Sequence, residues 1–182
     1  MRFKKLEIQG VFVLDPEPAI DERGDFARMF CAREFAGHGL VECFVQLNLS
    51  RNTKRGTVRG LHFQAAPFSE TKVVRCTRGT VFDVVVDLRP SSATIGRWVA
   101  VELSAMARNA VYVPAGCAHG YQTLLADCEI EYLVTPEYTP SAARGIRWDD
   151  PGLAIDWPIK DAVTLSSRDR QLPLFDAGTI EI

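Results

Sequence analysis

The feature that most constrains the fold is a strictly alternating run at residues 81–88. Phe82 and Val84 fall on one face of an extended segment, whereas Asp83 and Asp87 fall on the other. Successive side chains of a β-strand point to opposite sides, so a period of two predicts a strand rather than a helix. The many apolar side chains in this run favour a strand inside a sheet.

Similar short alternating segments occur along most of the chain, and glycine- and proline-containing turns separate them. This spacing is typical of a sandwich or barrel. The chain lacks the alternation of strands and helices that would indicate a parallel sheet. Short helices are predicted at 31–36 and 166–170. We expect one domain covering residues 1–182, with a less regular tail after about residue 149. The predicted strands are 44–50, 59–64, 72–76, 81–88, 98–103, 110–113, 121–125 and 129–134.

Charge and composition exclude several classes of function. The formal net charge is -2, which gives no general attraction to nucleic acid or to an anionic membrane. No run approaches the roughly 18 apolar residues of a membrane span, and the N-terminus lacks the pattern of a signal peptide. The five cysteines form no CxxC pair, which fits free thiols in a reducing compartment. We therefore expect a cytoplasmic protein.

The segment RGLHFQ places a histidine in the predicted strand at 59–64. On such a strand His62 shares a face with Gly60 and Gln64, while Arg59 is expected on the opposite face. Imidazole is the side chain best suited to proton transfer near neutral pH. From the local sequence alone, a hydrogen-bonded histidine in a barrel wall is the simpler interpretation.

The segment PAGCAH, ending at His119, resembles the second motif of the cupin superfamily, a turn that closes a β-hairpin. The resemblance implies an all-β, cupin-like double-stranded β-helix (jelly roll) with a few short helices. Many cupins bind a metal through an HxH motif and a glutamate, but this chain has His62, Phe63 and Gln64 at the corresponding place. Two histidines without a paired carboxylate are a poor ligand set. We expect no metal.

An ordered set of segments covering roughly residues 5–172 resembles the dTDP-4-dehydrorhamnose 3,5-epimerase family. Each segment alone is weak evidence, and the set in this order and spacing is specific. The main matching segments are 21–26, 46–50, 56–64, 72–76, 82–89, 96–98, 114–120, 138–140, 148–151, 155–158 and 165–169.

The resemblance implies a metal-free isomerase that epimerises C3 and C5 of a dTDP-4-keto-6-deoxyhexose. Such inversion needs a base, an acid on the opposite face of the ring and a group that holds the enolate oxygen. By resemblance His62 is the base, Asp169 is its partner, Tyr132 is the acid and Lys72 stabilises the enolate. The substrate already carries its ketone, so no cofactor is expected.

The resemblance also implies residues that bind the sugar nucleotide, and a homodimer. Its N-terminal strands would be swapped, so that Arg23 and Phe26 reach the active site of the other subunit. Gln46 and Asn48 could equally form the solvated face of an edge strand, because alternation does not tell inward from outward. The implied binding residues are Arg23, Phe26, Gln46, Asn48, Arg59, Lys72, His119, Tyr138 and Arg168.

Two positions depart from the family pattern, which usually has glutamate where this chain has Arg28 and Ala143. In the family these positions lie toward the nucleotide, so the departures leave the reaction class unchanged and leave open which nucleobase and which hexose are accepted. Four alternatives remain open: inversion at C3 or C5 only, a CDP-, GDP- or UDP-linked substrate, a ketoisomerase on the same barrel, and a non-catalytic cupin-type binding protein.

Overall fold

The computed structural model describes residues 1–178 and 182, and almost all of its regular structure is β-strand. This part of the chain contains two short α-helices, α1 (Ala32–Gly37) and α2 (Ser167–Arg170), and one 3-10 helix (Pro140–Ala142). The strands are β1 (Arg2–Lys5), β2 (Phe12–Asp15), β3 (Ala19–Asp21), β4 (Gly24–Phe26), β5 (Gln46–Asn52), β6 (Val58–Gln64), β7 (Thr71–Arg78), β8 (Thr80–Asp87), β9 (Trp98–Ser104), β10 (Ala110–Val113), β11 (Cys117–Thr123), β12 (Cys128–Thr135) and β13 (Ala143–Gly145).

The described strands form two large antiparallel sheets and one hairpin. The six-stranded sheet has the order β1-β2-β10-β7-β12-β5, and the five-stranded sheet has the order β13-β6-β11-β8-β9. Strands β3 and β4 pair only with each other. The expected all-β, cupin-like architecture is therefore confirmed, and strand β5 lies at a free edge.

The main core lies between the two large sheets. Val74 and Ile130 from the six-stranded sheet pack with Val81, Val85 and other buried residues of the five-stranded sheet. The outer face of each sheet is also covered. Phe35 of α1 packs on the six-stranded sheet, and the segment after β13 covers the five-stranded sheet. Both faces of each sheet thus bury apolar side chains, which explains the strongly apolar strands.

Most strand predictions are confirmed to within a few residues. The two faces predicted for 81–88 separate as expected, because Val81 and Val85 enter the core between the sheets whereas Val84 packs on the outer face. One expectation is wrong. The turn at 114–116 does not close a hairpin, since β10 belongs to the six-stranded sheet and β11 to the five-stranded sheet. The turn carries the chain from one sheet to the other.

The loop after β8 is held by one buried carboxylate. Asp87 accepts hydrogen bonds from Arg89 Nε at 2.8 Å and from Thr94 Oγ1 at 2.6 Å, and Ser92 also donates to it. Burial alone would raise the pKa of Asp87, but these hydrogen bonds outweigh it and lower the pKa to about 2. The ionised carboxylate therefore fixes the path of the chain between β8 and β9.

We expect Asp87→Asn to lower the free energy of unfolding by about 2 kcal/mol at pH 7. A carboxyl whose pKa is depressed on folding stabilises the native state above its unfolded pKa, and this contribution disappears as the pH falls toward about 2. Urea unfolding between pH 7 and pH 2 checks this. The difference from wild type should shrink below about pH 4, with the exposed Asp161→Asn as control. A difference independent of pH would contradict the assignment.

No helix in the described part of the chain is long and apolar enough to cross a membrane. The five cysteines, all within that part, are unpaired thiols.

Candidate active site

A cavity of about 310 Å³ opens between the two large sheets. Its walls come from strands of both sheets, together with the loop before β13 and the start of α2. Eight of the residues proposed from the sequence line it: Asn48, Arg59, His62, Lys72, His119, Tyr132, Tyr138 and Arg168. The fold therefore brings together residues that are more than a hundred positions apart in the chain.

His62 and Asp169 form a close pair at this cavity. Nε2 of His62 lies 2.8 Å from Oδ1 of Asp169. The Asp169 side chain is 6% exposed, whereas 38% of the His62 side chain is accessible. Asp169 sits in α2, where its backbone N–H donates to the side chain of Ser166. The carboxylate fixes a proton on Nε2, so the lone pair of Nδ1 is left for a ligand.

The charge state of Asp169 suits this pairing. Burial would raise its pKa, but the hydrogen bond and the charge of His62 lower it below the usual value, with a smaller contribution from the N–H of Gly60. Asp169 therefore remains an anion at neutral pH. An anion at this position favours the protonated imidazole that forms when His62 accepts a proton.

Arg59 lies in the same cavity as His62, so the expectation that they face opposite sides is wrong. In the pairing of β6 with β11, His62 lies opposite His119 but Arg59 lies opposite Tyr121. Three steps on β6 thus match two steps on β11, which is a β-bulge. The extra residue reverses the alternation and brings Arg59 to the face of His62. Residue 60 lies in this bulge and must be glycine, because a Cβ at this position would lie 2.6 Å from the Cα atom of Gly120.

Tyr132 faces the cavity from the six-stranded sheet, as its alternation predicts. Burial raises its pKa well above the usual value for a phenol, and the neighbouring Tyr121 adds to the shift. The phenol therefore stays protonated near neutral pH and is available as a proton donor. His62 lies on β6 of the other sheet, so the two groups approach the cavity from different walls.

Two buried pairs of hydrogen-bonding side chains complete the inner wall. Lys72 Nζ lies 2.7 Å from a carboxylate oxygen of Glu70, and both side chains are 9% exposed. His119 Nε2 lies 2.8 Å from Oδ2 of Asp83. Burial raises the pKa of Asp83, although His119 and Lys72 partly offset this. The ammonium group is thus held at the cavity with its charge balanced by carboxylates.

The loop that carries Tyr138 is fixed by two glutamines. Gln46 Oε1 accepts a hydrogen bond from the Tyr138 backbone N–H at 2.7 Å, and Gln64 Oε1 accepts one from Thr139 N–H at 2.6 Å. Gln64 also donates to the carbonyl of Phe68. The Tyr138 ring remains half exposed at the mouth of the cavity, where it offers a flat surface to a ring system.

Three of the proposed binding residues are not among the side chains that line this cavity. Gln46 instead holds the Tyr138 loop, and the other two lie farther away. Arg23 and Phe26 belong to the β3–β4 hairpin, and Phe26 is 76% exposed. The guanidinium of Arg23 pairs with Asp21 in its own hairpin. Within this chain neither residue contributes to the site.

Several residues that line the cavity, or that contact its lining, were missed in the sequence. Asp83 and Glu70 had a usable signal, because each is a carboxylate within or beside an apolar strand. Ser50 lies on the polar face predicted for β5. Tyr121 and Asn52 had no local signal, because their contacts join segments about seventy residues apart. Among residues 1–178 and 182, no group of three histidine, cysteine or carboxylate side chains is arranged to hold a metal ion.

Comparison with known proteins gives a consistent result. Residues 5–177 match the model of the dTDP-4-dehydrorhamnose 3,5-epimerase family. The chain is 44% identical over 173 residues to the dTDP-4-dehydrorhamnose 3,5-epimerase of Sinorhizobium fredii. The aligned region covers 95% of this chain and 89% of that protein.

Solved structures agree with this similarity. The crystal structure of dTDP-4-dehydrorhamnose 3,5-epimerase from Elizabethkingia anophelis superposes with a TM-score of 0.93 at 35% identity, covering 96% of both chains. The Legionella pneumophila dTDP-6-deoxy-D-glucose-3,5-epimerase, in complex with dTDP-4-keto-L-rhamnose, gives a TM-score of 0.91 at 36% identity and covers 99% of this chain and 94% of that one.

Proposed function

Because the chain belongs to the dTDP-4-dehydrorhamnose 3,5-epimerase family, we propose that it converts dTDP-4-dehydro-6-deoxy-D-glucose to dTDP-4-dehydro-L-rhamnose. The enzyme is an isomerase that inverts C3 and C5, the two carbons next to the ketone. The observation that best supports this is the arrangement of an imidazole–carboxylate pair and a protonated phenol on different walls of one cavity. Removal of a proton from one face and return to the other is what inversion requires.

His62 acts as the base in this proposal. The free lone pair of Nδ1 removes the proton from C3 or C5, and Asp169, 2.8 Å from Nε2, stabilises the resulting imidazolium. Tyr132 then donates its phenolic proton to the opposite face of the carbon. Burial keeps this phenol protonated until it is needed.

Lys72 stabilises the negative charge that develops on the C4 oxygen. An ammonium group in a largely desolvated cavity interacts with an enolate much more strongly than it would in water. The carboxylate of Glu70 holds the Lys72 side chain in place when no substrate is bound. Proton removal from C3 or C5 needs no metal or redox cofactor, because the ketone already acidifies the neighbouring C–H bonds.

The outer part of the cavity suits the nucleotide. Arg59 and Arg168 lie at the cavity and supply guanidinium groups for the pyrophosphate. The exposed ring of Tyr138 is placed to stack on the nucleobase. Asn48, Gln46 and His119 offer further polar contacts, from β5 and β11, to the sugar and the phosphates.

The two departures from the family pattern have different surroundings. Ala143 lines the cavity, whereas Arg28 donates to Glu34 at 2.9 Å and lies outside it. We infer that Ala143 leaves more room beside the nucleotide than a glutamate would, and that the reaction centre is unaffected. These two positions are therefore expected to affect the preference for thymine more than any other part of the function.

The exposed surface supports a homodimer. Val45, Leu47 and Leu49 follow one another on the outward face at the free edge of the six-stranded sheet, and each is more than half exposed. The β3–β4 hairpin adds Ile20 and Phe26, which are 80% and 76% exposed. Apolar residues grouped at a free strand edge are typical of an interface. We propose that a second copy covers this edge, and that its hairpin delivers Arg23 and Phe26 to the cavity.

A mixed dimer tests this exchange of residues. Co-expression of an Arg23→Ala chain and a His62→Ala chain, with different tags, allows the heterodimer to be purified. If Arg23 acts across the interface, one site of each heterodimer has both residues and we expect about half of the wild-type activity. Both parent homodimers should be nearly inactive. A heterodimer as inactive as its parents would show that the two residues act within one chain.

Product analysis tests the proposed reaction. The protein is incubated with dTDP-4-dehydro-6-deoxy-D-glucose, the ketone is reduced with borohydride, and the released 6-deoxyhexoses are identified. Doubly inverted sugars, including L-rhamnose, are expected. Only singly inverted sugars would indicate a C3- or C5-specific epimerase, and unchanged stereochemistry would support the non-catalytic alternative. Parallel assays with UDP-, CDP- and GDP-linked substrates should give lower kcat/KM values than the dTDP substrate.

A further inference from the structure

Two inversions on one substrate create a requirement beyond a base and an acid. After the first inversion, His62 holds the proton taken from carbon and Tyr132 has become a phenolate. The second inversion, at the other carbon, needs a neutral His62 and a protonated Tyr132 again. This requirement rests on the function proposed above. The exposed edge of His62 can release its proton to water, but Tyr132 needs a proton source on its own side of the cavity.

The Tyr132 side chain lies beside two other hydroxyl-bearing side chains. Its ring centroid is 6.4 Å from that of Tyr121, and Ser50, Tyr121 and Tyr132 all line the same cavity. The Tyr121 and Ser50 oxygens lie 2.6 Å apart. Ser50 follows Asn48 on the cavity face of β5, beside β12, which carries Tyr132. Tyr121 comes from β11 of the other sheet and is 1% exposed. The hydroxyl groups of Ser50 and Tyr121 thus form a hydrogen-bonded chain that lies beside the Tyr132 side chain at the cavity.

The direction of donation in this chain is set by Asn52 and Arg59. Arg59 Nε is only a donor, and it lies 2.7 Å from Oδ1 of Asn52. The amide nitrogen of Asn52 is therefore turned toward Tyr121, and it donates to the Tyr121 oxygen at 3.1 Å. Because this oxygen accepts a bond from Asn52, its own proton is available for a neighbouring oxygen. The Tyr121 hydroxyl also lies 3.3 Å from Oδ1 of Asn52. This contact is weaker, because Oδ1 already accepts the shorter hydrogen bond from Arg59.

We propose that Tyr121 and Ser50 form a relay that returns a proton to Tyr132 between the two inversions. The O–H proton of Tyr121 moves to the phenolate of Tyr132, and the O–H proton of Ser50 moves to Tyr121. Water in the open cavity then protonates Ser50, which lines that cavity and is only partly buried. Each step breaks one O–H bond and forms another. The proton gained from solvent balances the one that His62 releases.

Removal of one hydroxyl from the relay should separate the two inversions. In Tyr121→Phe the ring still fills its place, and Tyr132 keeps the one proton needed for the first inversion. Rapid-quench reactions with dTDP-4-dehydro-6-deoxy-D-glucose, followed by borohydride reduction, give the amounts of singly and doubly inverted sugar. We expect a first inversion within about twofold of wild type, a second slowed about tenfold or more, and accumulation of the singly inverted sugar.

Ser50 provides a second, independent variant. Ser50→Ala should give the same accumulation, and Ser50→Thr, which keeps the hydroxyl on a residue well suited to a strand, should restore the wild-type ratio. A wild-type ratio of the two inversions in both Tyr121→Phe and Ser50→Ala would overturn the relay and indicate direct protonation of Tyr132 by water. Equal slowing of both inversions would also overturn it, since that would indicate a purely positioning role. If the wild-type protein inverts neither carbon, the proposed function fails instead.

Discussion

Replacement of His62 by alanine is expected to stop proton exchange at both C3 and C5 of the substrate. His119 has a similar pairing with the buried Asp83, but its side chain is only 4% exposed, whereas 38% of the His62 side chain is accessible to a substrate. Loss of a general base typically costs on the order of 10² to 10⁴ in rate. We expect His62→Ala to lower kcat by at least this factor and to change KM much less.

The measurement for His62 is the rate of deuterium incorporation from deuterium oxide. His38→Ala is a suitable control, because His38 stacks on Phe3 at 4.0 Å, outside the cavity. This control should exchange at the wild-type rate. If His62→Ala keeps more than about a tenth of the wild-type exchange rate while remaining folded, another group is the base.

Replacement of Tyr132 by phenylalanine is expected to separate exchange from inversion. His62 can still remove and return a proton on its own face, so deuterium should enter the substrate without a change in stereochemistry. Formation of inverted sugar should fall by about 10² to 10⁴, because the opposite face has lost its proton donor. The raised pKa of Tyr132 fits this role, since the burial that causes it keeps the proton in place.

The control for this variant is Tyr112→Phe. Tyr112 is also a buried tyrosine, but its hydroxyl accepts a hydrogen bond from the backbone of Val41 rather than facing the cavity. Tyr112→Phe loses the same atom and should retain the wild-type ratio of inversion to exchange. Inversion at the wild-type rate in Tyr132→Phe would show that another group donates the proton.

The strands and their buried faces could be predicted from the sequence, because both depend on local alternation. The run at 81–88 gave both faces of β8 correctly. At β5 the same rule gave the two faces without telling which one points outward. The apolar face of this edge strand is the exposed one, which reverses the usual pattern and is the observation behind the proposed dimer.

The site was predicted only in part for two physical reasons. A single bulge in β6 reversed the face of Arg59, and periodicity has no means of locating such an insertion. The contacts of Tyr121 with Ser50 and Asn52 join distant parts of the chain. Only the resemblance to a family could connect His62 with Asp169, which lies 107 positions away. Glu70 lies two positions before Lys72, immediately before β7, so this pair had a local signal.

The central claim is that an imidazole backed by a carboxylate takes protons from both carbons next to the ketone. The most direct measurement is NMR of dTDP-4-dehydro-6-deoxy-D-glucose incubated with the protein in deuterium oxide, with His62→Ala in parallel. We predict deuterium at C3 and at C5 with the wild-type protein, and at neither carbon with the variant. Absence of exchange at both carbons with the wild-type protein, or equal exchange with the variant, would contradict the account.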